Sequence, residues 1–159
     1  MQRLLGQISR IEGALAAIAY AITASLLLVD IMAREVWQAP ILGAQKWAVL
    51  SAIIASTLGL SMAVANNAHL RATFANHLLP FCWADRLGDL VSAILYAGLT
   101  WYALVFVQES MAFKDQAEVI YISLWPFQLV LPYAFLMCSL RHWHFFVSPE
   151  HKPPAVETS

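Results

Sequence analysis

The side chains with most chemical potential in this chain are five histidines, His69, His77, His142, His144 and His151, two cysteines, Cys82 and Cys138, and the pair Asp30 and Arg34. Histidines could ligate haem or zinc, but a bis-histidine haem in a membrane bundle needs facing histidines inside the apolar stretches. Here His69 stands at the end of an apolar stretch, His77 in a loop, and the other three beyond the last stretch. His142 and His144 are two apart, so on a helix their side chains diverge by about 200° and cannot share one ion. Two cysteines imply neither a disulfide framework nor a metal site. No nucleophile–base pair or cofactor motif stands out, so no catalytic, cofactor-binding or metal residue is assigned and no enzyme is expected.

Asp30 and Arg34 are spaced for an ion pair on one helix face. An acid inside a membrane span can instead carry a transported proton or cation. Asp30, however, lies about three turns or more from the middle of a bilayer, and its arginine is one turn away, which favours a structural pair.

The elements that position these residues are read from where charge is missing. All Asp, Glu, Lys and Arg side chains fall outside four runs, 13–29, 47–70, 90–108 and 119–140. A bilayer core of ~30 Å takes ~20 helical residues at ~1.5 Å each, and a charge at its centre costs at least ~2.5 kcal/mol. The chain is 60% apolar and 12% charged, far from the composition of an ordinary soluble domain. The expected fold is an all-α integral membrane protein with four transmembrane helices, at about 11–37, 45–67, 87–110 and 119–141, in one membrane domain over 1–147. The tail, 148–159, with three prolines and few apolar residues, is expected to be disordered. Arg3 and Arg10 before the first run also suit a cleaved signal peptide, but that run leads into more leucine and three further spans follow. A net charge of −1 without basic clusters gives no case for nucleic acid.

Four crossings put both termini and the middle loop on one side. That side carries Arg3, Arg10, Arg71, Arg86, Arg141 and Lys152, against Arg34, Lys46 and Lys114 on the other, which places both termini in the cytoplasm. Trp37, Trp47 and Trp125 then fall near the outer interface and Trp83 and Trp143 near the inner one, whereas Trp101 lies below the belt, against protein or lipid. Between helices two and three, Phe74, Leu78, Leu79, Phe81 and Trp83 alternate with His77, Asp85 and Arg86 around Pro80, which reads as an interfacial amphipathic segment over 71–89.

Small residues at four-residue spacing, Gly13, Ala17, Ala21 and Ser25 in helix one and Ser51, Ala55, Gly59 and Ala63 in helix two, are expected to be contact faces, within the bundle or against a separate subunit. The bulky row Leu50, Ile54, Leu58 and Met62 is expected to pack more loosely. Pro126 and Pro132 are expected to bend helix four, which is read as a kinked structural helix without a buried ionisable partner. No convergent polar site is expected at mid-membrane.

The order of these features resembles the small membrane subunit of tripartite ATP-independent periplasmic transporters, the DctQ-like or TRAP small permease family, over nearly the whole chain to Arg141. Helix one ends in Arg34, followed by Pro40. Gln45, Lys46 and Trp47 open helix two where the family often has a glutamate. Gly59, Ser61, Ala63, Asn66, Asn67, Ala68, His69 and Leu70, closed by Leu79 and Pro80, match the shape of the family's second helix. The usual basic residue before the histidine is replaced by Asn66 or Asn67, and Thr73 stands about where an aspartate would be. Ser123, Trp125, Pro126 and Pro132 resemble its fourth helix.

The resemblance implies a non-catalytic scaffold subunit of a secondary transporter in a bacterial inner membrane. Its partners would be membrane lipids, a large elevator-type membrane subunit that holds the sodium and substrate sites, and a periplasmic solute-binding protein delivering a carboxylate or similar small organic solute. It makes Asp30, Arg34, Gln45, Trp47, Ser51, Ala55, Gly59, Ala63, His69, Trp125, Pro126 and Pro132 candidates for subunit contact or structure. The rival reading is a self-sufficient small dimeric transporter, which would need a membrane-embedded acid in helix one.

Overall fold

A computed structural model describes residues 2–66 and 82–149. Helix α1 spans Gln2–Trp37, α2 Ala44–Ala65 and α3 Cys82–Phe113. A minimal hairpin, β1 Gln116–Ala117 paired antiparallel with β2 Ile122–Ser123, leads into a short helix α4, Trp125–Gln128, and then α5, Val130–Val147. Among the described residues, α1, α2 and α3 are long and apolar enough to cross a membrane.

Each boundary has a local cause. After α1, Gln38 takes a left-handed conformation (φ 52°) and Pro40 follows, so the helix cannot continue. Gly43, at φ 85°, turns the chain into α2, and a Cβ there would lie 2.7 Å from Ile120 Cγ2. Only glycine combines that backbone angle with that closeness. At the end of α3, Lys114 is left-handed (φ 55°) and the Asp115 N–H bonds back to the Ser110 carbonyl at 3.0 Å.

The fourth helical stretch differs from the expected 119–141. Residues 116–123 form the hairpin, and helix begins only at Trp125 and continues to Val147. An uncharged run does not by itself distinguish a strand from a helix, and Val119 and Tyr121, at φ 80° and 50°, close the turn. Pro126 does not bend the helix as expected. It sits in the first turn of α4, where its missing N–H has no intrahelical partner to lose. The break falls at Leu129, because Pro132 offers no donor to the carbonyl four residues earlier. Of the expected interfacial segment, residues 82–89 are the first turns of α3, and the part before Cys82 lies outside the described residues.

Two seams hold the helices together, and both follow a seven-residue repeat. On α1 the inward row is Glu12, Ala16, Ala19, Thr23, Leu26, Asp30 and Ala33; on α3 it is Asp89, Ala93, Tyr96, Thr100, Ala103, Val107 and Ser110. Steps of four and three average 3.5 residues, which keeps one face turned to a neighbour along the whole helix. Each row opens with an acid and carries a threonine at the same later position, and each hydroxyl bonds the carbonyl one turn back, Thr23 to Ala19 at 2.9 Å and Thr100 to Tyr96 at 2.8 Å. Helix α1 packs along α2, α2 along α5, and α5 along α3. Thus α2 and α5 are the inner members, and α5 is joined to α3 also by Ser139 Oγ donating to the Ala93 carbonyl at 2.9 Å.

The small-residue stripes are not these seams. In α1, Ala17, Ala21 and Ser25 are exposed, and only Gly13 is near a neighbour, 2.9 Å from Met62 to an added Cβ. A strict four-residue step advances 40° per turn and spirals off the contact face. In α2 a Cβ added at Gly59 would meet nothing within 4 Å, whereas Leu50 and Leu58 of the supposedly looser row are each only 5% exposed. Ser51 does make a helix contact, its hydroxyl 2.8 Å from that of Thr23.

Candidate functional site

Buried charge in the described residues is confined to the two ends of the bundle. At one end, Glu12 of α1 and Arg141 of α5 are 2% and 3% exposed and meet through Nη2 and Oε2 at 2.6 Å. Ser61 of α2 lies between them. Arg141 Nη1 donates to the Ser61 carbonyl and, at 2.6 Å, to its hydroxyl, and the hydroxyl donates to Glu12 Oε2 at 3.2 Å. The other carboxylate oxygen of Glu12 accepts from the Tyr133 hydroxyl at 2.9 Å. A buried ion pair repays its desolvation only when remaining lone pairs and protons are satisfied, and this cluster supplies those partners from three helices.

The next residue of α5 repeats the arrangement on α3. His142 Nδ1 lies 3.2 Å from Asp89 Oδ1, and its ring stacks on Tyr96 at 5.7 Å between centroids and 9° between planes. Successive residues of a helix point about 100° apart, so Arg141 and His142 reach the acids that open the two seams. The expectation of a fourth helix without a buried ionisable partner is therefore overturned. No local spacing in the sequence points to Glu12, and Arg141 counts there only as a flanking positive charge.

At the other end, Asp30 is 3% exposed. Its Oδ2 accepts from Arg34 Nε at 3.0 Å and Nη2 at 2.9 Å, and its Oδ1 accepts from the Ile41 N–H at 3.0 Å. One carboxylate thus pins both the last turns of α1 and the connection into α2. Glu12 and Asp30 lie on the same seam, about 27 Å apart along the helix axis, close to the ~30 Å of a bilayer core. Between them, among the described residues, no charged side chain is buried.

The remaining candidates disperse. Gln45 is exposed, and Trp47 meets Phe127 edge-on at 6.1 Å. Ala55, Gly59 and Ala63 are half-buried on a face left open, Trp125 and Pro126 open α4, and Pro132 is buried in α5. Trp101 is 68% exposed and points away from the bundle. His69 lies outside the described residues. What the geometry can do is hold four helical stretches together by charges kept at two levels.

A sequence model of the family described as tripartite ATP-independent periplasmic transporters, DctQ component, matches residues 13–149. No curated protein matches the chain.

Proposed function

The chain belongs to the DctQ component family of the tripartite ATP-independent periplasmic transporters, and on that premise we propose that it is a non-catalytic scaffold within such a transporter. It packs against the large membrane subunit that carries the solute and helps dock the periplasmic solute-binding protein, for uptake of a carboxylate or similar organic solute. The observation that carries this reading is the placement of buried charge. Among the described residues, the buried carboxylates and bases are paired at the two ends of the bundle, with none buried between. A transporter acting alone needs ionisable or polar groups converging near the bilayer midplane.

The same placement supports a fourth crossing by α4 and α5. Arg141 weighs against membrane insertion of that stretch, but Glu12 neutralises it inside the bundle. Four crossings put the Glu12 end of the bundle and both termini on one side of a bacterial inner membrane, and the six-to-three bias of Lys and Arg assigns that side to the cytoplasm. The open face around Ala55, Gly59 and Ala63 is suited to a closely approaching partner helix.

Affinity purification of the full chain in mild detergent tests this reading. A much larger multi-span membrane protein should co-elute in fixed ratio. Elution as a homodimer alone, from cells producing all of its native partners, would contradict it.

A further inference from the structure

A groove of about 680 Å³ lies between α2 and α3, roofed by the hairpin and floored by α4 and α5. Its walls are apolar, with Leu50, Ile53, Phe106 and Leu131 among them, and it descends from Lys46 to Ile53, about 10 Å along α2. Volume and lining are those of a ligand site. Because α2 and α3 are both long and apolar enough to cross a membrane, the groove opens sideways into hydrocarbon.

Its mouth is not apolar. Lys46 and Glu118 both line it, and neither makes an ion pair among the described residues. Lys46 stands in the first turn of α2, where the helix dipole disfavours a cation, so its charge does not serve the helix. Glu118 precedes Val119, a β-branched residue held at φ 80°. Such backbone strain persists only where the surroundings impose it, and it recurs at ligand clamps. Gln128 also lines the groove, and its Oε1 is out of solvent with no donor among the described residues. A buried carbonyl oxygen calls for an N–H or O–H.

We infer that this groove binds one phospholipid with a primary-ammonium headgroup. An acyl chain fills the apolar trough, the phosphate meets Lys46, and the ammonium donates to Glu118 and towards Gln128. A phosphocholine headgroup has no N–H to give, and a phosphoglycerol headgroup has no cation for Glu118. The second groove, about 490 Å³ between α1, α2 and α5, is bordered by Ile18 and Leu58 and has no charge at its mouth, so it lacks that selectivity. The inference rests on membrane embedding and not on the transporter reading.

Native mass spectrometry of the full chain in mild detergent, with dioleoyl phosphatidylethanolamine, phosphatidylglycerol or phosphatidylcholine added singly, tests it. One ethanolamine lipid should survive activation energies that strip the other two. Glu118→Gln should reduce its retention about five-fold, the size of one partly exposed charge pair, and leave the glycerol lipid unchanged. Lys46→Gln should weaken both lipids, Ile53→Trp should fill the trough and abolish retention, and Ile18→Trp, in the other groove, should leave it intact. If Ile53→Trp fails to fold, the two exposed charge variants decide. Equal retention of all three lipids, or indifference to Glu118→Gln, overturns the inference. So does lipid bound by the isolated chain but displaced when a larger membrane protein co-purifies, since the groove would then belong to that protein.

Discussion

Glu12, early in α1, and Arg141, late in α5, approach to 2.6 Å although 129 positions separate them in sequence. Each is buried, and each is the main counter-charge of the other. Removing one partner should therefore cost far more than removing both. Arg141→Met or Glu12→Met alone should destabilise the bundle by about 3 to 5 kcal/mol, and the double variant should recover a large part of that loss. Thermal unfolding of the three variants in one detergent gives the coupling. Strictly additive losses would mean that the two charges do not act as a pair.

Asp30 should behave as a structural residue. Its two oxygens hold Arg34 and the Ile41 N–H, so Asp30→Asn gives up a charge-assisted contact worth about 1.5 to 3 kcal/mol. Lower thermal stability and lower yield of the complex are expected, with the cation dependence of uptake unchanged. Loss of cation coupling in a fully assembled complex would assign Asp30 to transport.

Gly59 and Leu58 separate internal packing from partner contact. Leu58 is buried and Gly59 faces open space. Leu58→Ala should destabilise the isolated chain by about 2 kcal/mol, the low end for such a truncation because lipid penalises exposed apolar surface less than water does. Gly59→Leu should leave the isolated chain stable and reduce recovery of the complex. Recovery unchanged by Gly59→Leu would show that this face meets no partner.

Orientation has its own test. In a background without Cys82 and Cys138, Ser159→Cys should stay closed to impermeant thiol reagents in intact cells and Gln116→Cys should react. The reverse pattern would invert the topology.

Much of the fold was legible because a bilayer excludes charge, so α1, α2 and α3 each overlap one uncharged run, although α1 already begins at Gln2 and α3 at Cys82, well before the runs that start at 13 and 90. The hairpin at 116–123 was not, since Val119, Ile120, Tyr121 and Ile122 are as apolar as a span and hydropathy carries no backbone angle. The Asp30 and Arg34 pair was legible because its spacing is local. The Glu12 and Arg141 pair was not, because no spacing encodes contact between distant helices. A signal existed in the steps Glu12, Ala16, Ala19 and Thr23, repeated as Asp89, Ala93, Tyr96 and Thr100, which mark two seams that each begin with an acid needing a partner. Reading small residues at strict four-residue intervals directed attention to a neighbouring face instead.

Solute uptake by the purified chain reconstituted alone into sealed vesicles, under an imposed sodium or proton gradient, tests the scaffold reading most directly. With every buried carboxylate and base among the described residues clamped at the ends of the bundle, no gradient-driven uptake is expected from this chain alone, whereas vesicles that also contain the co-purifying large subunit, supplied with the loaded binding protein, should accumulate solute. Cation-coupled uptake by the chain alone would contradict the account.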